Sequence, residues 1–240
     1  LLEREVDKVT ESLQGVQRLA QSLRRTPGHR LRIGSTPALA LALLPPVISE
    51  WKRRYPEINC ELASAHTREL IQNLLMRELD VALTFKLPEH PGLKAQALAH
   101  GVLVALAPRG FWPDASEGVP LALDELADAP LIGLSSVDPL FARLDNYLQA
   151  VEPPPRISIA VQTYSLARAM VEAGAGLAVI DPFTALGASR ESTVIRPLTP
   201  ALPITLYALT RADEAPAHML EGLLQLCAER AGEQLQRLAG

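Results

Sequence analysis

Hydroxyl side chains stand at four places in this sequence where a buried strand ends and a helix is expected to begin. They are Ser35 and Thr36, then Thr67, then Ser135 and Ser136, and finally Thr163 with Tyr164. The first turn of a helix has free backbone N–H groups and the positive end of the helix dipole, so it can bind a carboxylate. Serine and threonine are also common N-caps, so each residue taken alone is more simply interpreted as a cap.

A fifth phrase, Asp181-Pro182-Phe183-Thr184, follows another apolar strand. It is typical of a capped helix start, with Asp181 as the N-cap and Pro182 in the first helical position. Alternatively, the Asp181 carboxylate pairs with an ammonium group of a ligand while Phe183 packs on the aliphatic part. The sequence leaves both interpretations open. Phe85, at the end of a further strand, is an additional candidate for contact with a ligand.

Residues for enzyme chemistry or metal binding are not arranged in any known pattern. Gly174-Ala175-Gly176 closes a helix and lacks the third glycine of a dinucleotide-binding motif. The five histidines have no ligand spacing, and neither HExxH nor CxxC occurs. We therefore predict no catalytic residue, metal or cofactor. Cys60 and Cys227 are predicted to be packed thiols, and a redox role for the pair stays open.

The elements that would position the candidate residues alternate between strand and helix patterns. We predict strands at 31–33, 58–63 and 80–85, a helix at 38–54 that is kinked or restarted at Pro45-Pro46, and a helix from 67 onwards. This order predicts a parallel sheet covered by helices. Ligands bind at the carboxyl ends of strands in such sheets, which is where the hydroxyl residues stand.

A second unit has the same rhythm. Its predicted strands cover 102–107, 131–134, 157–161 and 177–180, and its predicted helices cover 138–149 and 163–174. A strand at 204–209 and a long helix at about 216–238 complete the chain. The predicted fold class is therefore α/β with two units.

The first 25 residues have a different period, with apolar side chains at alternating spacings of four and three. This seam contains Leu2, Val6, Val9, Leu13, Val16, Ala20 and Leu23. It is typical of the a and d positions of a coiled coil and stops at Thr26-Pro27-Gly28. We predict a dimerisation and linker helix at residues 1–27, with an amphipathic helix packed on its own domain as the alternative.

Charge and composition restrict the possible partners. Residues 31–240 carry 17 basic and 23 acidic groups, a net charge of −6, so this part is not an obvious binder of DNA. The longest uncharged apolar stretch, 33–49, contains three prolines and is a poor membrane span. No secretory signal is visible at the start, and two cysteines fit a reducing compartment. We predict a cytoplasmic protein.

Several phrases in their order resemble the regulatory half of LysR-type transcriptional regulators. The carrying residues are Leu31-Arg32-Ile33-Gly34, Leu44-Pro45-Pro46-Val47-Ile48 with Trp51, Arg54-Tyr55-Pro56-Glu57-Ile58, Glu61-Leu62, the stretch 74–83, and the stretch 171–180 with Pro182. The resemblance covers the whole chain, and the heptad helix is similar to the linker helix of the family. Trp51 and Asp181 depart from the residues that are more common in the family.

The resemblance implies a two-lobe, periplasmic-binding-protein-like fold of type 2. Lobe 1 would hold residues 31–105 and 205–240, and lobe 2 would hold residues 106–204. A small effector would bind in the cleft, lined by positions such as Ser35, Thr36, Thr67 and Ser135. The phrase 179–185 resembles a subgroup that senses lysine-like amino acids and opines, which suggests an amino-acid-like effector.

The resemblance also implies a homodimer or tetramer whose winged helix-turn-helix lies upstream of Leu1. The absence of a starting methionine agrees with such a segment. A solute-binding protein of a transporter has the same two-lobe fold and is the main alternative. An enzyme on this fold is a third, which would require a nucleophile and a base in the cleft.

Overall fold

The computed structural model describes residues 30–113, 116–134, 139–214 and 218–239. The predicted dimerisation helix, with the seam residues Leu2, Val6, Val9, Leu13, Val16, Ala20 and Leu23, lies outside the described residues. Ser135 and Ser136 lie outside them as well.

The first sheet has five strands in the order β2-β1-β3-β11-β4. Its strands are β1 (Arg30–Ser35), β2 (Asn59–Ser64), β3 (Val81–Thr84), β4 (Leu93–Val102) and β11 (Pro203–Arg211). The pairs of β1 with β2 and β3 are parallel, as predicted, whereas β11 is antiparallel to β3 and β4. Strand β4 was not predicted.

Four helices cover this sheet: α1 (Pro37–Ala42), α2 (Leu44–Arg54), α3 (Thr67–Leu75) and α7 (His218–Ala239). The predicted first helix is two helices that meet at Leu43, because Pro45 and Pro46 have no N–H to continue the hydrogen bonds of α1. Trp51 is fully buried on α2 and donates its indole N–H to the Met219 carbonyl at 3.0 Å, which fixes α7 against α2.

The second sheet has the order β6-β10-β5-β9. Its strands are β5 (Val104–Pro108), β6 (Leu121–Ala122), β9 (Ala178–Ile180) and β10 (Thr193–Thr199). A parallel pair, β7 (Pro130–Leu134) and β8 (Arg156–Val161), adjoins β9 through a bridge between Leu131 and Leu177. The helices α4 (Pro139–Leu148), α5 (Tyr164–Glu172) and α6 (Pro182–Leu186) belong to this part of the chain.

The structure explains why position 176, in the Gly174-Ala175-Gly176 phrase, is a glycine. Its φ is +147°, and a Cβ there would lie 2.6 Å from the Pro130 carbonyl oxygen. Only glycine allows β7 to approach so closely. The phrase is therefore a packing requirement of the second sheet.

The chain passes between the two sheets twice. The first crossing is the single residue Leu103, between β4 and β5, and the second is the segment 200–202, between β10 and β11. The Leu103 N–H donates to the Leu202 carbonyl at 2.9 Å, so the two crossings are hydrogen-bonded to each other.

Helix α6 joins the two parts of the structure. It packs against α1 and α7, which cover the first sheet, as well as against β5 and α5. Phe183 on α6 stacks on Phe85, which follows β3, with ring centroids 5.9 Å apart and an interplanar angle of 21°. We call these contacts of α6 with α1, α7 and Phe85 the α6 junction. Within the described ranges, no helix is both long and apolar enough to cross a lipid bilayer.

Arg196 is the most highly connected buried cation of the second sheet. It is 5% exposed, donates to the Val119 and Pro120 carbonyls at 3.0 and 2.9 Å, and pairs with Glu125 at 3.2 Å. Its guanidinium also lies 5.1 Å from the centre of the Trp112 ring. It thereby fixes the segment before β6 on β10.

We predict that Arg196→Met lowers the free energy of unfolding by about 2–3 kcal/mol, because two carbonyls lose a charged donor inside the protein. Chemical denaturation measures the change. Arg109→Met is the matched control, since exposed Arg109 also donates to two carbonyls, those of Arg190 and Glu191. If both variants lost a similar amount of unfolding free energy, the burial of Arg196 would not be the reason for its effect on stability.

Candidate functional site

The end of β1 places two hydroxyl groups inside the protein without partners. Ser35 is 0% exposed, and neither its Oγ nor the Oγ1 of Thr36 forms a hydrogen bond with any residue that the structure describes. Thr36 occupies the N-cap position of α1, but its side chain caps nothing. Its backbone N–H donates to the Leu83 carbonyl at 3.1 Å, which holds this corner against the end of β3. The plain-cap interpretation is therefore wrong for Thr36.

The start of α3 has a different arrangement. His66 is in the N-cap position without a capping side chain, and Thr67 is the first helical residue. The Thr67 hydroxyl lies 2.8 Å from that of buried Thr84, which also accepts from the Lys86 N–H at 3.2 Å. A capping role for Thr67 is therefore also wrong. If Thr84 donates to Thr67, the hydroxyl proton of Thr67 is available to an outside acceptor.

Thr163 is a true cap. Its hydroxyl accepts from the Leu166 N–H at 3.2 Å at the start of α5. Tyr164 follows as the first residue of that helix, and its side chain is buried. The sequence left the functional and capping interpretations of Thr163 open, and the structure bears out the capping one.

Asp181 is the N-cap of α6, with Pro182 in the first helical position, as the capping interpretation predicted. Its Oδ1 accepts from the Thr184 N–H at 2.9 Å. The other oxygen, Oδ2, is buried without a hydrogen-bond partner, and the residue is 0% exposed. One oxygen of this carboxyl group is thus used by the helix, and the other has no hydrogen bond of normal geometry among the described residues.

Burial raises the pKa of Asp181 to about 6, and donors from Thr184 and Phe183 oppose part of the rise. The Thr184 hydroxyl acts in the same direction on that pKa but has no hydrogen bond of normal geometry. The carboxyl group of Asp181 is therefore poised to gain or lose its proton only slightly below neutral pH.

The stack of Phe85 and Phe183 relates these groups to each other. Thr36 is bonded to Leu83, two residues before Phe85, and Asp181 is two residues before Phe183. The stack therefore joins the segment that follows β3, to which Thr36 is bonded through Leu83, to the helix start that carries Asp181. Both phenylalanines are buried, at 8% and 2% exposure.

Two polar residues of this region were not predicted, Thr84 and Thr184. Thr84 ends β3, so the rule of hydroxyls at strand ends already applied to it. Thr184 is the helical residue whose N–H is bound by Asp181. An N-cap phrase predicts this backbone donor but gives no reason to expect a buried hydroxyl on the same residue.

The described residues contain no group of three or more His, Cys, Asp or Glu side chains that could hold a metal ion. Cys60 and Cys227 are free thiols in the structure. Burial raises the pKa of Cys60, and it raises that of Cys227 to about 12. Such thiols are poor nucleophiles at neutral pH.

Comparison with known proteins decides the family. The sequence profile described as the LysR substrate binding domain matches residues 24–232. The chain belongs to this family. A curated member, the HTH-type transcriptional regulator DgcR of Pseudoalteromonas sp, is 29% identical over 224 residues, which are 93% of this chain and 76% of DgcR.

Solved structures of LysR-type proteins share the two-lobe fold. The OxyR C206 mutant of Corynebacterium glutamicum superposes with a TM-score of 0.74 at 17% identity, covering 99% of this chain and 76% of that one. The regulatory domain of Synechocystis PCC6803 CcmR, in complex with 2-PG, gives a TM-score of 0.71 at 17% identity, with 85% and 98% covered.

These comparisons confirm the predicted family and fold class. The curated relatives are transcriptional regulators and not transporter components, so the regulator prediction is confirmed over the solute-binding alternative. The roles of the individual site residues stay predictions.

Proposed function

We propose that this LysR-family region senses a small molecule between its two sheets and thereby controls the DNA binding of a transcription factor. The observation that carries the proposal is the pair of buried hydroxyls at the end of β1, those of Ser35 and Thr36, which have no hydrogen-bond partner within the described ranges. Buried polar groups are normally hydrogen-bonded, and a ligand would satisfy these. CcmR, which shares the fold, is a precedent for a bound small molecule, 2-PG.

The candidate contacts come from both sheets. The first sheet offers hydroxyls and the first turn of α3, which suit an acidic group of the effector. The second offers the starts of α5 and α6. The full proposed set is Ser35, Thr36, Thr67, Phe85, Ser135, Ser136, Thr163, Tyr164, Asp181 and Phe183, to which we add Thr84 and Thr184.

The proposed mechanism is a binding equilibrium without catalysis. The hydrogen-bonded crossings at Leu103 and 200–202 are suited to serve as a hinge, and the α6 junction is the contact that a change of lobe angle would alter. The effector shifts the equilibrium only by the difference of its affinities for the two arrangements. The crossings also support lobe boundaries close to residues 105 and 205.

The remaining parts of the proposal concern partners. Residues 1–27 would pair two chains as a coiled coil within a homodimer or tetramer. DNA contact would belong to another segment of the regulator, because residues 31–240 have a net charge of −6 from 17 basic and 23 acidic groups. A bacterial transcription regulator works in the cytoplasm, which is the location proposed here.

A thermal-shift screen of the 240-residue chain tests the sensor function. The panel holds basic and acidic amino acids, opine-like conjugates, aromatic acids and sugars. A ligand at about 100 times its Kd stabilises the chain by roughly 2.7 kcal/mol. We expect such stabilisation from at least one compound class.

Ser35→Ala separates binding from stability. The Ser35 hydroxyl has no partner, so its loss is expected to leave the unliganded chain equally or more stable while weakening the ligand about tenfold. Ser64→Ala, at the exposed end of β2, is the matched control. Equal affinities of the two variants would contradict a ligand at the end of β1, and a panel without any binder would contradict the sensor function.

A further inference from the structure

Asp181 is a fully enclosed carboxyl group without a cationic partner in the described part of the chain. Among the described residues it forms no ion pair, whereas buried arginines such as Arg196 and Arg211 each pair with a carboxylate. Buried charged groups are rarely found without compensation, because moving a charge out of water is costly. Either the group is kept protonated, or its counter-charge comes from outside the chain.

No element packed on α6 offers that counter-charge. Helix α1 has the sequence PALALA and β5 the sequence VALAP, neither with a charged residue. On α5, Arg168 lies against Gly187 beyond the far end of α6 and is 3.8 Å from Glu172. On α7, Arg230 is paired with Glu50 and Glu233, and Arg237 has an exposed side chain. On β4, Gly101 packs near Pro182, and the ring nitrogen Nδ1 of the adjacent His100 lies 3.1 Å from the Thr205 hydroxyl oxygen. Lys86, next to Phe85, has an exposed side chain.

Capping alone does not account for an ionisable residue at this position. Asparagine and serine cap helices about as well as aspartate, and neither carries the cost of ionisation inside the protein. When ionised, a carboxylate is also attracted by the helix N-terminus, and it has the further ability to bind a positive charge. The adjacent hydroxyl oxygen of Thr184, which has no hydrogen bond of normal geometry, is an acceptor that would suit a donor of an ammonium group.

We propose that the effector carries an ammonium group that binds the Asp181 carboxylate, and that this ammonium replaces the proton held there by the unliganded chain. The inference rests on the proposed sensor function and names its ligand class, an amine that also has an acidic group. The exchange is balanced. The neutral carboxyl group loses one proton to solvent, the ammonium enters as a cation, and no covalent bond to carbon forms or breaks.

The exchange makes binding depend on pH. Since burial raises the pKa of Asp181 to about 6, most of the unliganded chain holds this proton near pH 5.5 and little of it does near pH 8. The affinity for an amine is therefore expected to rise between these values and then level off. Binding at about pH 5.5 should release more than about half a proton.

Isothermal titration calorimetry with matched probes tests this inference. The pairs are alanine with propionate, glutamate with glutarate, and norleucine with hexanoate, titrated into the 240-residue chain at about pH 5.5 in two buffers of different ionisation enthalpy. We expect at least one amine to bind about tenfold or more tightly than its partner that lacks the amino group, with proton release.

Asp181→Asn retains the helix cap and is expected to lose both the preference for the amine and the proton release. Asp145→Asn, on α4 in the same part of the chain, is the matched control and should behave like wild type. The inference is overturned if no amine binds, if each pair binds equally, or if Asp181→Asn keeps the preference. Binding of acids or sugars without an amine would overturn it while leaving the sensor function standing.

Discussion

The unliganded chain with Asp181→Asn is expected to unfold at a higher temperature than wild type near neutral pH. The pKa of Asp181 is raised from 3.8 to about 6 in the folded chain, so the folded state holds its proton more tightly than the unfolded state does. The stability that this proton carries is complete below the unfolded pKa and is lost as the pH rises through the folded one. Asparagine cannot ionise and keeps the cap.

The size of the effect follows from the shift. About two pKa units correspond to about 3 kcal/mol, which raises Tm by roughly 6–12 °C for a domain of this size. Near pH 4 the two proteins should unfold within a few degrees of each other, because Asp181 is then protonated in wild type. Differential scanning calorimetry from about pH 4 to 8 measures the divergence.

Asp145→Asn again serves as the control, since Asp145 is a helical surface residue that accepts from Gln149. As a surface substitution it should leave Tm close to that of wild type. If Asp181→Asn were less stable than wild type at neutral pH, the carboxylate would have to be stabilised by a partner within the chain. That result would remove the reason for expecting a ligand ammonium.

Phe183→Ala is expected to lower the free energy of unfolding by about 3–5 kcal/mol. Phe183 is 2% exposed and fills the space between α6 and the end of β3, where it stacks on Phe85. Truncation leaves a cavity in the α6 junction, which small residues around it cannot fill. Chemical denaturation at equilibrium measures the loss, and the slope with denaturant shows whether unfolding remains a single transition.

A double-mutant cycle tests whether the two aromatic rings act together. Phe85→Ala combined with Phe183→Ala should give a coupling energy of about 0.5–1.5 kcal/mol. Phe111 and Trp112 form the control pair. Their ring centroids are 5.4 Å apart with an interplanar angle of 85°, but the two residues are neighbours in the sequence and do not join α6 to the first sheet. A loss below about 1 kcal/mol for Phe183→Ala would mean that the junction is open in solution.

The sequence predicted the strands β1, β2 and β3 because each is a short apolar or alternating run followed by turn residues. It did not predict β4, whose sequence LKAQALAHGV has small and polar residues at most positions. That strand forms because it pairs with β11 along its whole length. Strand β10 was also missed, since Pro197 interrupts its apolar pattern.

The candidate site was predictable in position but not in hydrogen bonding. Hydroxyls at strand ends predicted where Ser35 and Thr67 would lie, since parallel strands end at one edge. Whether a hydroxyl caps its helix depends on tertiary neighbours, such as Thr84 for Thr67. The unused oxygen of Asp181 likewise depends on the packing of α6, which no local pattern specifies.

The position of β11 has a consequence for the synthesis of the protein. Of the described strands this one comes latest in the sequence, yet it lies between β3 and β4 in the first sheet. During synthesis, the edges of β3 and β4 that pair with β11 therefore remain unpaired at first. The strands from β5 to β10 are contiguous in the chain and can already pair with one another. The first sheet closes only when residues 203–211 have emerged. The strand ends at which we propose effector contacts are therefore not held in a complete sheet until β11 has paired with β3 and β4.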